Sequence, residues 1–177
     1  MQLKPQDVLV ALKLVSLGAE SEWTYAQLAM ALDMSASQAH AAVRRALAAR
    51  LLVDDAGAIV PNPGNLEEFL VHGIRFVFVP ERGELTRGIP TAHGAPPLSR
   101  QMQAGGEPPP VWPHPHGKAR GLAFAPLFRS APEAARGDRR LYELLALIDG
   151  IRGGRARERR LAARMLAERL GRGHASG

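Results

Sequence analysis

The sequence predicts a mostly α-helical protein with a small β component. Apolar residues recur at helical spacing in both the first fifty and the last forty residues. Helix-starting residues stand directly before several of these patterns. Proline and glycine concentrate between Glu81 and Pro132, where only short extended runs are left.

In chain order, "LKPQDVLVALKLVSLG" places Pro5 in a first helical turn, sets Val8, Leu9, Leu12 and Val15 on one face, and stops at Gly18. Thr24 is the expected N-cap of a second helix over 25–32, whose apolar face is Leu28, Ala29 and Leu32. "DMS" turns the chain. Ser35 followed by Gln38 has capping-box spacing and opens a third helix that runs to about Arg50. "LLVDDAGAIVP" reads as two short strands around a turn at Asp54–Gly57, closed by Pro61. Helix, helix, turn, helix and hairpin is the order of a winged helix-turn-helix unit.

The segment "MSASQAHAAVRRALAARLLV" resembles the recognition-helix region of MarR-like winged helix-turn-helix bacterial transcriptional regulators, and the resemblance covers about residues 5–61. It implies an N-terminal DNA-binding unit. At 100° per residue, Ala39, Val43, Ala46 and Leu47 fall on the packing side of the third helix. Ser37, His40, Ala41, Arg44 and Ala48 lie opposite, flanked by Gln38 and Arg45. In a docked helix-turn-helix the early residues of the second helix of the motif reach base edges. The expected DNA-binding residues are therefore Thr24, Ser35, Ser37, Gln38, His40, Arg44 and Arg45. Gln38 could bond adenine through two atoms, and the arginines could pair with guanine or grip phosphate. No acid occurs from Ala36 to Leu51, whereas Asp54 and Asp55 give the wing tip the wrong sign for phosphate.

Beyond the wing, "GNLEEFLVHG" reads as a short helix capped by Asn65, and "IRFVFVP" as a strand of β-branched and aromatic residues. "LTRGIPTAHGAPPL" and "GGEPPPVWPHPHGKARG" exclude long helices and central strands. Trp112, Phe124, Leu127 and Phe128 nevertheless argue for an ordered region, with "RGLAFAPLF" pairing with "IRFVFV" or lying along it. Arg87 and Thr91 could hold an anion, or could belong to a simple Gly-Pro turn. His114 and His116 in "HPH" point to opposite sides of an extended chain, so no metal site is expected.

The tail contains "DRRLYELLALIDGIRGG" and "RARERRLAARMLAERLG". Leu141, Leu144, Leu145 and Ile148 line the first predicted helix, and Leu161, Ala162, Met165, Leu166 and Leu170 the second. Arg155, Arg157, Arg159, Arg160 and Arg164 line the opposite face and are the candidate contacts for a partner or nucleic acid. The apolar stripes suggest dimerisation, since operators are read as paired half-sites. They could also close over the protein's own middle region. The expected organisation is a winged unit over 1–62, an irregular strand-containing region over 63–132, and a basic helical region over 133–177.

Charge follows the same division. Residues 1–80 carry 6 basic and 8 acidic side chains, residues 118–177 carry 14 and 6, and the whole chain is +6. The chain has no cysteine, which excludes disulfides and thiolate chemistry. No "GxxxxGK", "HExxH", "GxSxG" or dinucleotide fingerprint occurs, and the adjacent Glu67 and Glu68 diverge by about 100° on a helix. A non-enzymatic, cytoplasmic protein without cofactor or membrane span is expected. Its expected partners are double-stranded DNA and a second copy of itself. The alternative is an antitoxin-like or scaffold protein whose basic C-terminal half binds an acidic cognate protein.

Overall fold

The computed structural model describes residues 1–103 and 105–172. The described residues are mostly helical, with five strands among them. Helix α1 (Pro5–Leu17) begins with Pro5 at its first position, and the Asp7 carboxylate accepts the Lys4 N–H at 2.8 Å. Residues Val8 to Leu12 are wholly buried, because α1 is covered on more than the single face that its spacing suggests. Helix α2 (Tyr25–Ala31) is capped by Thr24, and α3 (Ala36–Ala48) by Ser35. Between them Asp33 takes the left-handed conformation, φ 51°.

Strands β1 (Leu52–Asp55) and β2 (Ala58–Pro61) form an antiparallel hairpin in which Asp55 faces Ala58. The two-residue loop has positive φ at both Ala56 (52°) and Gly57 (91°), the geometry whose twist suits adjoining strands. Asp54 accepts the Gly57 N–H at 2.8 Å, so this acid is part of the turn itself.

Helix α4 (Pro63–His72) is capped by Asn62, not Asn65. Pro63 occupies the first helical position, which moves the start three residues upstream, and the Asn65 side chain instead donates to the Arg50 carbonyl at 3.0 Å. The expected strand at 74–80 is also corrected. Ile74–Val77 forms a short helix, α5, with Ile74 buried and Phe76, Val77 and Val79 exposed. A strand here would need a free sheet edge. None is offered by β3 (Arg82–Pro90), β4 (Pro110–Pro113) and β5 (Ala119–Phe124), which close on one another.

Strand β3 is antiparallel to both β4 and β5, which pair with each other in parallel to close the unit, and it includes the "LTRGIP" run that sequence reasoning excluded from central strands. Pro90 is tolerated because it ends the strand. Glycine makes the closure possible. A Cβ on Gly88 would lie 2.1 Å from the Trp112 carbonyl oxygen, and one on Gly121 would lie 2.0 Å from that of Pro109. "RGLAFAPLF" thus pairs through β5 with β3 and not with residues 74–79.

Helices α6 (Ala131–Arg136), α7 (Arg139–Gly153) and α8 (Ala156–Arg172) complete the chain. Leu141, Leu144, Leu145 and Ile148 of α7 are buried, as are Ala162, Met165, Leu166 and Leu170 of α8, with Leu161 packed beside them. These stripes are covered within the chain, so they present no free face for dimerisation. One cluster of buried side chains runs from α1 to α8, and α7 touches α1, α4, α5, α6 and α8.

The β unit is fastened to α7 by polar contacts. Buried Asp149 accepts from Thr91 Oγ1 and Trp112 Nε1, both at 2.7 Å, and from Arg152 Nη1 at 2.8 Å. Arg152 Nε reaches the Phe78 carbonyl at 2.9 Å. Thr91 is therefore occupied in the core and does not hold an anion with the exposed Arg87.

Candidate nucleic-acid interface

Helix α3 divides largely as its spacing predicts, except that Ala42 joins the buried side while Leu47 and Ala41 are half-buried. Ala39, Ala42, Val43 and Ala46 are buried against α1 and α2, while Ser37, Gln38, His40, Arg44 and Ala48 are exposed. Its start is fixed by reciprocal bonds. Ser35 Oγ accepts the Gln38 N–H at 3.1 Å, and Gln38 Oε1 accepts the Ser35 N–H at 2.9 Å. Thr24 and Gln27 make the same pair of bonds at the start of α2, at 3.1 and 3.0 Å.

These caps change what the side chains can offer. With its oxygen already accepting the Ser35 N–H, Gln38 can contact adenine through two atoms only by sharing that oxygen between the cap and the base, while its amide N–H groups stay free to donate. Thr24 and Ser35 keep a hydroxyl proton to donate. His40 is oriented by aromatic neighbours: its ring centroid lies 4.8 Å from that of Tyr25, which meets Trp23 edge-on at 5.3 Å. Trp23 and Tyr25 are absent from the expected site, although they are conspicuous in a chain with only two tryptophans and two tyrosines.

The two adjacent arginines separate. Arg44 is exposed and has no ion pair among the described residues. Arg45 turns inward, and its Nε and Nη2 grip the fully buried Asp7 carboxylate at 2.8–3.0 Å. Arg45 is a structural tie between α3 and α1, which removes it from the DNA-facing set. Beside this face, Glu20, Glu22 and Trp23 line an open groove with Gly57 to Val60 of the hairpin. Its acids, with exposed Asp54 and Asp55, disfavour phosphate on that flank.

The C-terminal arginines also divide. Arg157, Arg160 and Arg164 are exposed on α8, and exposed Arg155 precedes it. Arg159 is half-buried and donates to the Gly154 carbonyl at 3.2 Å. Arg155 and Arg157 share a cleft with Arg82 and His93, a grouping that sequence separation conceals. Among the described residues no three histidine or carboxylate side chains converge as metal ligands, and no helix is long and apolar enough to cross a membrane.

Comparison of the chain with family models, curated proteins and solved structures finds no match.

Proposed function

We propose that the chain is a sequence-specific DNA-binding transcriptional regulator, a repressor or autoregulator, that reads the major groove with α3 as a winged helix-turn-helix. The observation carrying this reading is the outer face of α3: Ser37, Gln38, His40 and Arg44 are exposed together on a helix without acids. The order α1, α2, α3 and β1–β2 hairpin agrees with it, as does the MarR-like character of residues 34–53. Small side chains at Ser37 and Ala41 permit close approach to the groove floor. Gln38 donates to base acceptors, and Arg44 supplies a guanidinium for guanine or phosphate. Affinity comes mainly from counterion release and is steeply salt-dependent.

Paired half-sites call for a homodimer, which belongs to the same proposal and does not draw on the buried tail stripes. The test is recovery of enriched fragments from a random duplex library by the full chain. Arg44→Ala should then weaken binding to the enriched fragment and lower the salt slope by about 1. An unenriched library overturns the proposal.

A second reading, a scaffold that holds a cognate protein, is favoured by a different observation. Phe76, Val77 and Val79, close together in sequence, are each exposed, and α8 exposes Arg160 and Arg164. A stable heterocomplex on copurification, together with an unenriched DNA library, would select it.

A further inference from the structure

Between the three-stranded unit and the turn joining α7 to α8 lies a cleft of about 530 Å³, within the size range of small-molecule sites. Three segments far apart in sequence supply its charge. Arg82 comes from the start of β3, His93 from the turn after that strand, Arg155 from the residue before α8 and Arg157 from its first turn. None of the three arginines has a carboxylate within ion-pair distance among the described residues. Arg82 spends one N–H group on the Gly153 carbonyl and keeps the others.

Two acids also face the cleft, and they differ. Glu158 is buried, with Oε1 2.8 Å from His93 Nδ1, so its charge is committed to the imidazole. Glu107 is exposed at the rim. With His93 protonated, four cationic groups outnumber two carboxylates. His93 has one nitrogen engaged, which leaves Nε2 for a ligand.

The backbone around this grouping is built to hold it. Ala92, directly before His93, is buried and left-handed at φ 50°, a strained conformation of the kind that gathers at binding sites. Gly154 has no Cβ where one would lie 2.5 Å from Glu158 Oε2, and a Cβ on Gly153 would lie 2.6 Å from Arg82 Nη2. The paired glycines between α7 and α8 therefore let Glu158 and Arg82 take their positions.

We infer that this cleft binds a small, multiply charged oxyanion, a phosphate or diphosphate group, gripped by Arg82, Arg155 and Arg157 and completed by protonated His93. Arginine forks match the geometry of such groups. A concave site of this volume encloses a small ligand, whereas nucleic-acid backbone would be tracked by an open stripe of cations.

The charges around His93 also set a pH dependence. Its hydrogen bond to Glu158 raises its pKa above the ordinary 6.5; burial opposes this, the charges of Glu158 and Glu107 add to it, and Arg82 reduces it. Arg155 and Arg157 face the same cleft and add repulsion, which a bound anion offsets.

The test is calorimetric titration of the full chain with pyrophosphate and, separately, with sulfate, whose charge is constant across the range used. One saturable site per chain is expected. Arg155→Ala and Arg157→Ala should each weaken pyrophosphate binding about tenfold, while Arg164→Ala, on the same helix but outside the cleft, should leave it unchanged. Arg155 and Arg157 are both exposed, so the fold survives their removal. Sulfate affinity should fall between about pH 6 and pH 8.5 in the natural protein and stay level in His93→Gln. Three results would each overturn the inference: no saturable binding, equal weakening by Arg164→Ala, or an unaltered pH profile in His93→Gln.

Discussion

The Arg45 guanidinium holds the buried Asp7 carboxylate through Nε and Nη2, joining α3 to α1 across 38 residues of sequence. Removing Arg45 would leave an ionised group without its counter-charge in the core. Arg45→Ala should cost about 3 kcal/mol in chemical denaturation, whereas Arg44→Ala should stay within about 0.5 kcal/mol. Equal effects from the two would place Arg45 outside the core. The pair "RR" therefore divides between folding and the proposed DNA contact, and a double substitution would confuse the two.

Asp138 joins α7 to α1 in a similar way. It accepts from Lys13 Nζ at 2.7 Å, from Ser16 Oγ at 2.6 Å, and from the Leu141 N–H at 3.0 Å as the N-cap of α7. Burial alone pushes its carboxyl up, but these three donors bring it below the ordinary 3.8. Its contribution is whole above that pH and is lost as pH falls through the folded-state value. Asp138→Ala should cost about 2 kcal/mol at neutral pH, with a smaller deficit in strong acid. A deficit independent of pH would deny the ion pair its role.

Asp149 should be the costliest polar side chain to lose. Its burial pushes the carboxyl up, while Arg152, Thr91 and Trp112 counter that by donating to it. Asp149→Ala strands three donors, one of them charged, and is expected to cost about 4 kcal/mol. Thr91→Val removes one of the hydrogen bonds to that carboxylate, for about 2 kcal/mol. Denaturation followed by Trp112 fluorescence in a Trp23→Phe background reads both. If the two substitutions proved equivalent, Arg152 would have another counter-charge.

Truncation after Pro132 removes most of α6 together with α7 and α8. Because α7 packs against α1, α4 and α5, the expected product is a chain without cooperative unfolding. Calorimetry would detect the missing transition. A fragment that melted sharply would establish an independent N-terminal domain.

What was legible in the sequence was local. Thr24, Ser35, Pro5 and the turn at Asp54–Gly57 act within a few residues of themselves, so the first three helices and the hairpin fall where pattern and caps put them. The outward set Ser37, Gln38, His40 and Arg44 followed from helical projection alone. Partners distant in sequence were not legible. The spacing of α7 and α8 gives an apolar stripe without saying what covers it, and α1 showed one face because α7 was out of view. Residues 74–77 have strand composition, but the closed β3–β5 unit leaves no edge for them. His93 and Glu158, 65 positions apart, meet only once the chain is folded.

The position of α7 has a consequence for biosynthesis. The segment that fills the middle of the molecule leaves the ribosome well after α1, so the first helices emerge before the surface that α7 lends to α1 exists. Until α7 emerges, the part of α1 that it covers has no shelter. The nascent chain must remain unfinished until α7 has emerged, and a message that stops before it yields material for proteases instead of a small working fragment.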